Sequence, residues 1–254
     1  MSEHILVDRT DSVLTLTMHR PDKKNALTQA MYGAMADAIS AAQDDESIRA
    51  VVVQGSEQCF TSGNDVGDFL NAPASGSNSP VYRFLKAICH AKKPLIAAVN
   101  GPAVGVGTTM LLHCDLIYVA QDARLKMPFV NLGLCPEAGS SFLLPRLLGH
   151  PRTAELLLLG EEISGQRAVE FGLANQALPA GQPVLEAARS AARRIAEQPP
   201  GSIQLTKELI KRGVTDVASQ VMDHEGSYFS KLLAGPEARE ALAAFMEKRK
   251  PVFR

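Results

Sequence analysis

The chain has 254 residues, enough for one large domain with a sizeable hydrophobic core. Its formal net charge of −1 lacks the basic excess of nucleic-acid-binding proteins, which argues against that class. No apolar run is long enough to cross a bilayer, and the first residues lack the pattern of a secretion signal. We therefore expect a cytoplasmic protein without a membrane partner.

The first third of the chain predicts a hairpin, a helix and a buried strand. Apolar and polar residues alternate at 5–7 and 13–18, which is typical of paired strands. Thr28 is a suitable N-cap for a helix that runs to about Gln43. Residues 49–54 are apolar at their centre, as in a strand buried on both faces.

Strands and helices continue to alternate in the middle of the chain. Residues 71–80 (NAPASGSNSP) form a low-complexity stretch that we expect to be mobile, and Ser79 precedes a helix start at its end. Further strands are predicted at 95–99 and 115–120, with a glycine turn and a helix between them. This alternation indicates an α/β fold with a largely parallel sheet.

Strand patterns nearly vanish after Thr153, where helical spacing dominates. We therefore predict a core with the candidate site over residues 1–190 and a helical C-terminal region over residues 191–254. The helical patterns lie at 153–159, 166–171, 184–197, 203–212, 215–233 and 237–248.

Two glycine turns follow predicted strands, one at 62–65 and one at 105–107. A tight turn that opens a helix exposes main-chain N–H groups, which suit an anion. Loops after parallel strands share one sheet edge, so one N–H from each turn could converge on a single carbonyl oxygen. A purely structural role for both turns stays open. A dinucleotide site is disfavoured because the third glycine of GxGxxG is absent.

Glu137 is a single carboxylate among apolar and small residues. Such neighbours raise the pKa of a carboxyl group towards the range of a general base. Beside an anion-stabilising turn, this base would suit proton abstraction next to a carbonyl group. The alternative is an exposed glutamate that compensates a helix dipole.

Other kinds of site have little support. The four cysteines form no CxxC pair and no cluster with histidine at zinc spacing, so we expect reduced thiols and no metal site. Ser140 and Ser141 lack the setting of a hydrolase nucleophile. His113 is expected to pack in the interior and to bind no ligand.

Five short segments stand out when they are taken in order. They are RP at 20–21 with NAL at 25–27, FTSGND at 60–65, AVNGPAVG at 98–105, LG at 132–133 and FMEKR at 245–249. Together they resemble the crotonase superfamily, also called the enoyl-CoA hydratase/isomerase family, over nearly the whole chain. This resemblance implies a spiral of ββα units that forms two nearly perpendicular sheets, followed by a helical trimerisation region. It also implies a homotrimer or hexamer that binds an acyl-CoA substrate.

The resemblance also implies the parts of the site. The main-chain N–H groups of Asn64 and Val106 would hold the thioester oxygen in an oxyanion hole. The residues implied to bind substrate or coenzyme A are Ser62, Gly63, Asp65 and Gly105 around that hole, Lys23, Lys24, Asn25, Ala26 and Leu27 along the nucleotide, and Lys248 as a phosphate contact.

Two departures from the family pattern bear on the reaction. Hydratases of this family carry a glutamate pair where this chain has Thr109 and Phe129. The lone Glu137 instead resembles the 3,2-trans-enoyl-CoA isomerase subgroup, which implies a single-base isomerase that needs no metal or redox cofactor. Coenzyme A would enter only as part of the substrate.

Two other functions remain open. One is a different crotonase-type reaction, performed by a hydratase or a dienoyl-CoA isomerase. The other is a non-catalytic scaffold that binds coenzyme A.

Overall fold

The strands form two sheets of unequal size. A computed structural model describes residues 2–71 and 78–253, without the side chains of residues 69–71. The strands are β1 Ile5–Thr10, β2 Val13–Met18, β3 Ala50–Gln54, β4 Leu95–Val99, β5 Pro102–Val104, β6 Leu116–Ala120, β7 Arg124–Lys126, β8 Glu162–Ser164 and β9 Gln176–Leu178.

Helices pack on the sheets and make up most of the C-terminal third of the chain. They are α1 Gln29–Asp44, α2 Val66–Asn71, α3 Pro80–Cys89, α4 Val106–Thr109, α5 Ser140–Leu148, α6 His150–Leu158, α7 Gly165–Phe171, α8 Val184–Ala196, α9 Pro200–Lys211, α10 Thr215–Leu233 and α11 Pro236–Glu247. Short 3-10 helices lie at Pro21–Lys23, Met110–His113 and Val130–Leu132.

The larger sheet has the order β1-β2-β3-β4-β6-β9 and the smaller has the order β5-β7-β8. Only the β1–β2 pair of the larger sheet is antiparallel among the described strands. The predicted hairpin is confirmed, and Asp11 and Ser12 at its turn both have positive φ, as a tight two-residue turn requires. The predicted parallel sheet is confirmed as well. Every residue of β4 is buried, which explains its uninterrupted apolar sequence.

A repeating unit links the two sheets. β4 of the larger sheet leads into β5 of the smaller sheet and then into α4, and β6 leads in the same way into β7 and then, after a 3-10 turn, into α5. An isolated bridge between Thr61 and Ala103 extends this pattern to the segment after β3. The chain therefore winds as successive ββα turns, in agreement with the spiral that the resemblance implies.

Helix starts agree with the capping residues predicted from the sequence. The Thr28 side chain accepts the N–H of Met31 at the start of α1, and Ser79 accepts the N–H of Tyr82 at the start of α3. Each cap satisfies a donor that the first helical turn leaves free. Residues 72–77 of the low-complexity stretch lie outside the described residues.

Two short strands lie after Thr153, where the strand patterns of the sequence nearly vanish. β8 pairs antiparallel with β7, and β9 pairs parallel with β6. Each has three residues, too few for an alternating pattern to emerge from the sequence. α8 crosses the predicted boundary at residue 190 and packs on β3, β4 and β6 of the larger sheet.

The state of the cysteines and the hydropathy of the helices concern the whole fold. All four cysteines are free thiols, as predicted. No helix in the described ranges is both long and apolar enough to span a membrane.

Asn25 joins two loops in the interior. Its side chain is fully buried and donates to the carbonyl oxygens of Cys59, at 2.8 Å, and Phe60, at 3.2 Å. Its Oδ1 accepts the N–H of Arg20 at 2.8 Å. The turn that precedes α1 is thereby fixed against the segment that follows β3.

Replacing Asn25 with alanine should lower the free energy of unfolding by about 2 kcal/mol, because buried partners on Arg20, Cys59 and Phe60 lose their hydrogen bonds. Urea denaturation measures this loss, provided that the slope of the free energy of unfolding against urea concentration is unchanged. Asn78 is exposed, and Asn78→Ala should change stability by less than about 0.5 kcal/mol. An equal effect of the two substitutions would contradict the structural role of Asn25.

Candidate active site

Main-chain pairing places the two glycine turns side by side. The N–H of Thr61 donates to the carbonyl of Pro102 at 3.1 Å, and the N–H of Val104 donates to the carbonyl of Thr61 at 3.0 Å. Thr61 and Ala103 are bridge partners in a parallel pair. Asn64 and Val106 each follow their bridge residue by three positions, so the pairing places them at equivalent points of the two turns.

Small residues allow this close approach. A Cβ atom on Gly107 would lie 2.6 Å from Cγ2 of Thr61, and one on Gly63 would lie 2.9 Å from the carbonyl oxygen of Val104. Gly105 has φ 57° and ψ −119°, a combination that is reached almost only by glycine. The glycines of both turns are therefore required by the geometry.

The main-chain N–H groups of Asn64 and Val106 have no acceptor within the described residues. The neighbouring groups are satisfied, since Gly105 donates to the Lys126 carbonyl and the Gly63 carbonyl accepts the N–H of Leu27, both at 2.8 Å. These two unpaired donors can stabilise a negatively charged oxygen.

Tyr32 of α1 fixes the side chain next to one of these donors. Its hydroxyl donates to Oδ1 of Asn64 at 2.5 Å, and its ring packs against Phe84 with centroids 5.5 Å apart. Burial raises the pKa of Tyr32 well above its usual value, and the negative charge of Glu137 raises it further. Tyr32 therefore stays a neutral donor.

A cavity of about 440 Å³ opens onto both turns. It joins the predicted oxyanion residues Asn64 and Val106 to the predicted base Glu137. Its other walls are mostly apolar. The lining residues are Ser62, Gly63, Asn64, Val66, Val104, Gly105, Val106, Lys126, Pro128, Phe129, Asn131, Leu132, Leu134, Glu137, Leu233, Ala241, Leu242, Phe245, Arg249 and Pro251.

A second cavity of about 340 Å³ lies between α3 and α10 and shares Asn64, Glu137 and Leu233 with the first. Its apolar side chains include Val81 and Phe229. Glu137 therefore stands where the two cavities meet.

Glu137 lies in the loop before α5, with a small accessible surface towards the cavities. Burial raises its pKa to about 8. The hydroxyl of Thr109 donates to its Oε1 and lowers the pKa, whereas the charge of Glu225 raises it. A carboxyl group with a pKa in this range can act as a general base near neutral pH. The alternative interpretation, an exposed glutamate that compensates a helix dipole, does not agree with this largely buried position.

Several predicted binding residues lie near the site without lining its larger cavity. Lys23, Lys24 and Lys248 are exposed, and the Asn25 side chain points into the interior. The N–H of Ser62 donates to the Lys24 carbonyl at 3.0 Å, which keeps the loop at residues 23–27 beside the oxyanion turn.

Asp65 forms an ion pair with another residue of the chain. Its carboxylate contacts the Arg20 guanidinium at 2.6 Å and accepts the N–H of Asp68 at 3.0 Å. These hydrogen bonds lower its pKa. Asp65 therefore braces the turn that carries Asn64, and it does not line the larger cavity.

Three residues at or beside the site could not be predicted from the sequence: Tyr32, Lys126 and Glu225. Arg249, next to the predicted Lys248 in the FMEKR segment, lines the larger cavity in place of Lys248. Tyr32 sits on the buried face of an amphipathic helix, where it cannot be distinguished from an ordinary core residue.

No group of three or more potential metal ligands occurs in the described part of the chain. His113 is 2% exposed, and its Nε2 lies 2.8 Å from the carbonyl oxygen of Ala138. Burial lowers its pKa to about 4, so it is a neutral packed residue, as predicted.

The chain is similar to known proteins in sequence and in structure. The chain matches the family model "Enoyl-CoA hydratase/isomerase" over residues 8–254. It is 34% identical to the 1,2-epoxyphenylacetyl-CoA isomerase of Escherichia coli (strain K12), covering 100% of this chain and 99% of that protein. It is 32% identical to the 2,3-dehydroadipyl-CoA hydratase of the same strain, again over 100% and 99%.

A solved structure of Pseudomonas aeruginosa OdaA is similar in fold and sequence. The two structures superpose with a TM-score of 0.94 at 55% identity, over 96% of this chain and 99% of that one. The match of the family model, together with these relatives, shows that the chain belongs to the enoyl-CoA hydratase/isomerase family, the crotonase superfamily.

Proposed function

We propose that this chain is a 3,2-trans-enoyl-CoA isomerase in which Glu137 is the single acid–base group. One observation carries this proposal: among the described residues, Glu137 is the only acidic residue that lines the larger cavity, and it shares that cavity with the unpaired N–H groups of Asn64 and Val106.

The reaction needs one proton acceptor and one anion site. Glu137 removes a proton from the α carbon of a 3-enoyl-CoA, and the electrons of that C–H bond delocalise onto the thioester oxygen as a dienolate. The N–H groups of Asn64 and Val106 donate to this oxygen. Glu137 then returns the proton to the γ carbon, which leaves the double bond between the α and β carbons, conjugated with the thioester.

The properties of Glu137 suit both halves of this cycle. A pKa of about 8 makes its carboxylate a stronger base than an exposed glutamate, while its protonated form still gives up a proton readily. The proton taken is the proton returned, so no water, metal or redox cofactor is consumed. Coenzyme A takes part only as the thioester of the substrate.

A hydratase needs a second acid–base group to add water. At the two positions of the hydratase glutamates, Thr109 donates to Glu137 and Phe129 forms an apolar part of the cavity wall. The two E. coli relatives are an isomerase and a hydratase, so similarity to them does not distinguish the two reactions. The single carboxylate favours the isomerase.

The surroundings of the site suggest how the rest of the substrate binds. We infer that the nucleotide of coenzyme A lies along the exposed loop at residues 23–27, and that Lys126 supplies positive charge at the cavity. Arg249 also lines the cavity, but its guanidinium is paired with the carboxylates of Glu240 and Glu247. The acyl chain would occupy the second cavity, between α3 and α10.

We also infer a homotrimer or hexamer, the assembly that the resemblance implies. Several apolar side chains of α9 are exposed, and contacts between subunits commonly bury such side chains. The exposed side chains are Leu205, Leu209 and Ile210. Measuring the molecular mass in solution tests the assembly.

Glu137→Gln should reduce isomerase turnover about 10²–10⁴-fold, because the amide cannot accept the α proton. Ultraviolet absorbance of the conjugated thioester measures turnover on a panel of 3-enoyl, 2-enoyl and 3,5-dienoyl substrates. The panel separates the isomerase from the other crotonase-type reactions, and binding without any absorbance change in the wild type would indicate a scaffold.

Glu46 provides a matched control because it is exposed and lines neither cavity. Glu46→Gln should keep wild-type turnover, and Glu137→Gln should keep affinity for acyl-CoA in calorimetry. A fully active Glu137→Gln variant would refute the assignment of the base.

Gly105→Ala should lower kcat about 100-fold, since the new side chain disfavours the backbone conformation that presents the N–H of Val106. A Cβ atom on Gly105 would meet nothing within 4 Å, so a steric clash would not explain the loss. Gly181 also has positive φ and open space around it, and it lines neither cavity. Gly181→Ala should therefore leave kcat unchanged, and equal kcat values for the two variants would contradict the predicted oxyanion hole.

The ratio kcat/KM should rise with pH and level off above about pH 8, because Glu137 must lose its proton before it can act as the base. Thr109→Val removes a hydrogen bond that lowers this pKa, so the acidic limb of the profile should move to higher pH. A limb that stays in place, or moves to lower pH, would count against Glu137 as the titrating group.

A further inference from the structure

The loop that carries Glu137 has an unusual backbone. Ala138 and Gly139 both have positive φ, at 59° and 71°. Ala138 is 1% exposed, and the left-handed region is unfavourable for an alanine. The backbone preference of Ala138 therefore opposes this conformation, and contacts from elsewhere in the fold must stabilise it.

Glu225 of α10 makes such contacts directly after Glu137. Its Oε2 accepts the N–H of Gly139 at 2.6 Å. Its Oε1 accepts the N–H of Ser141 at 2.9 Å and the hydroxyl of the same residue at 2.6 Å. The carboxylate therefore holds the start of α5 with three hydrogen bonds across 84 or more residues of sequence.

Glu225 is 7% exposed, and among the described residues no cation shifts its pKa. Burial raises that pKa, whereas the hydrogen bonds from Ser141 and Gly139 lower it. The charge is thus balanced by donors at the start of a helix, where a negative group is favourable. A buried carboxylate with this set of partners has a definite geometry.

The loop also lies tightly against α10. A Cβ atom on Gly139 would lie 3.2 Å from the carbonyl oxygen of Ala218. On the other side, the hydroxyl of Ser140 donates to the Glu137 carbonyl at 2.6 Å, and His113 holds the carbonyl of Ala138. A shift of the Glu225 contacts would therefore be transmitted to the main chain of Glu137.

We propose that Glu225 is a positioning residue for Glu137: its carboxylate fixes the start of α5 and thereby the direction in which Glu137 faces the N–H groups of Asn64 and Val106. This inference rests on the proposed role of Glu137 as the base. Glu225 lines neither of the two cavities that meet at Glu137, so it acts through the loop and not on the substrate.

Charge provides a second link between the two carboxylates. The negative charge of Glu225 raises the pKa of Glu137. Glu137 also raises the pKa of Tyr32 from α1 and of Cys135 from its own loop, and Glu225 raises the pKa of Cys135 as well. Among the described residues, the charged or titratable side chains that line the cavities with Glu137 are Lys126 and Arg249 in the larger one and Tyr82 and Asp223 in the second one. Removing the charge of Glu225 while keeping its shape should therefore lower the pKa of Glu137.

The test is the pH profile of Glu225→Gln in the full chain. Turnover should fall about 10- to 100-fold, the size of effect expected when a reacting group is displaced by about 1 Å. The KM for the 3-enoyl-CoA should change little, and the acidic limb of kcat/KM should move to lower pH. Glu225→Asp keeps the charge with a shorter reach, so kcat should fall while the limb stays in place.

Asp216→Asn is the matched control, since it removes a carboxylate from the exposed first turn of the same helix. It should leave kcat and the pH limb unchanged. Activities are divided by the folded fraction from urea denaturation, so that a loss of stability alone cannot imitate the effect. Wild-type kcat and an unshifted limb in Glu225→Gln, beside an inactive Glu137→Gln, would overturn the positioning role. An active Glu137→Gln would instead overturn the proposed function, and with it the role of Glu225.

Discussion

Main-chain pairing between Thr61 and Ala103 is the contact on which the site depends. This short parallel pair aligns two turns that come from different ββα units. It leaves the N–H groups of Asn64 and Val106 at equivalent positions, with no acceptor for either group among the described residues. Unpaired N–H groups are costly inside a protein and are useful only where a ligand oxygen completes them. The glycines in both turns make this arrangement possible, since side chains would collide or require disfavoured backbone angles.

The second requirement is a carboxylate that is largely shielded from water. Glu137 is placed by the loop before α5, and its pKa results from opposing contributions of burial, the Thr109 hydroxyl and the charge of Glu225. Elements from distant parts of the chain therefore converge on one side chain. The helical C-terminal section contributes to the site through α10 and through the α11 residues that line the larger cavity, so it is more than an appendage to the sheets.

Much of the fold could be predicted from local patterns. Thr28 and Ser79 marked helix starts correctly, and β4 was recognisable because every position is apolar. The three-residue strands β8 and β9 were missed because pairing with β7 and β6 defines them, and no local periodicity does. In the site, the glycine turns and Glu137 were predicted from their neighbours and the family resemblance. Glu225 was not, because its role appears only when α10 packs against the start of α5.

The protonation of Glu137 also affects the folding equilibrium. Its pKa lies at about 8 in the folded chain, compared with 4.5 for an ordinary glutamate, so between these values folding takes up a proton that the unfolded chain would release. The resulting contribution to stability is fully present below about pH 4.5 and declines as the pH rises towards 8. The same desolvation that makes the carboxylate a useful base therefore makes the native state less stable under the alkaline conditions in which that base is ionised.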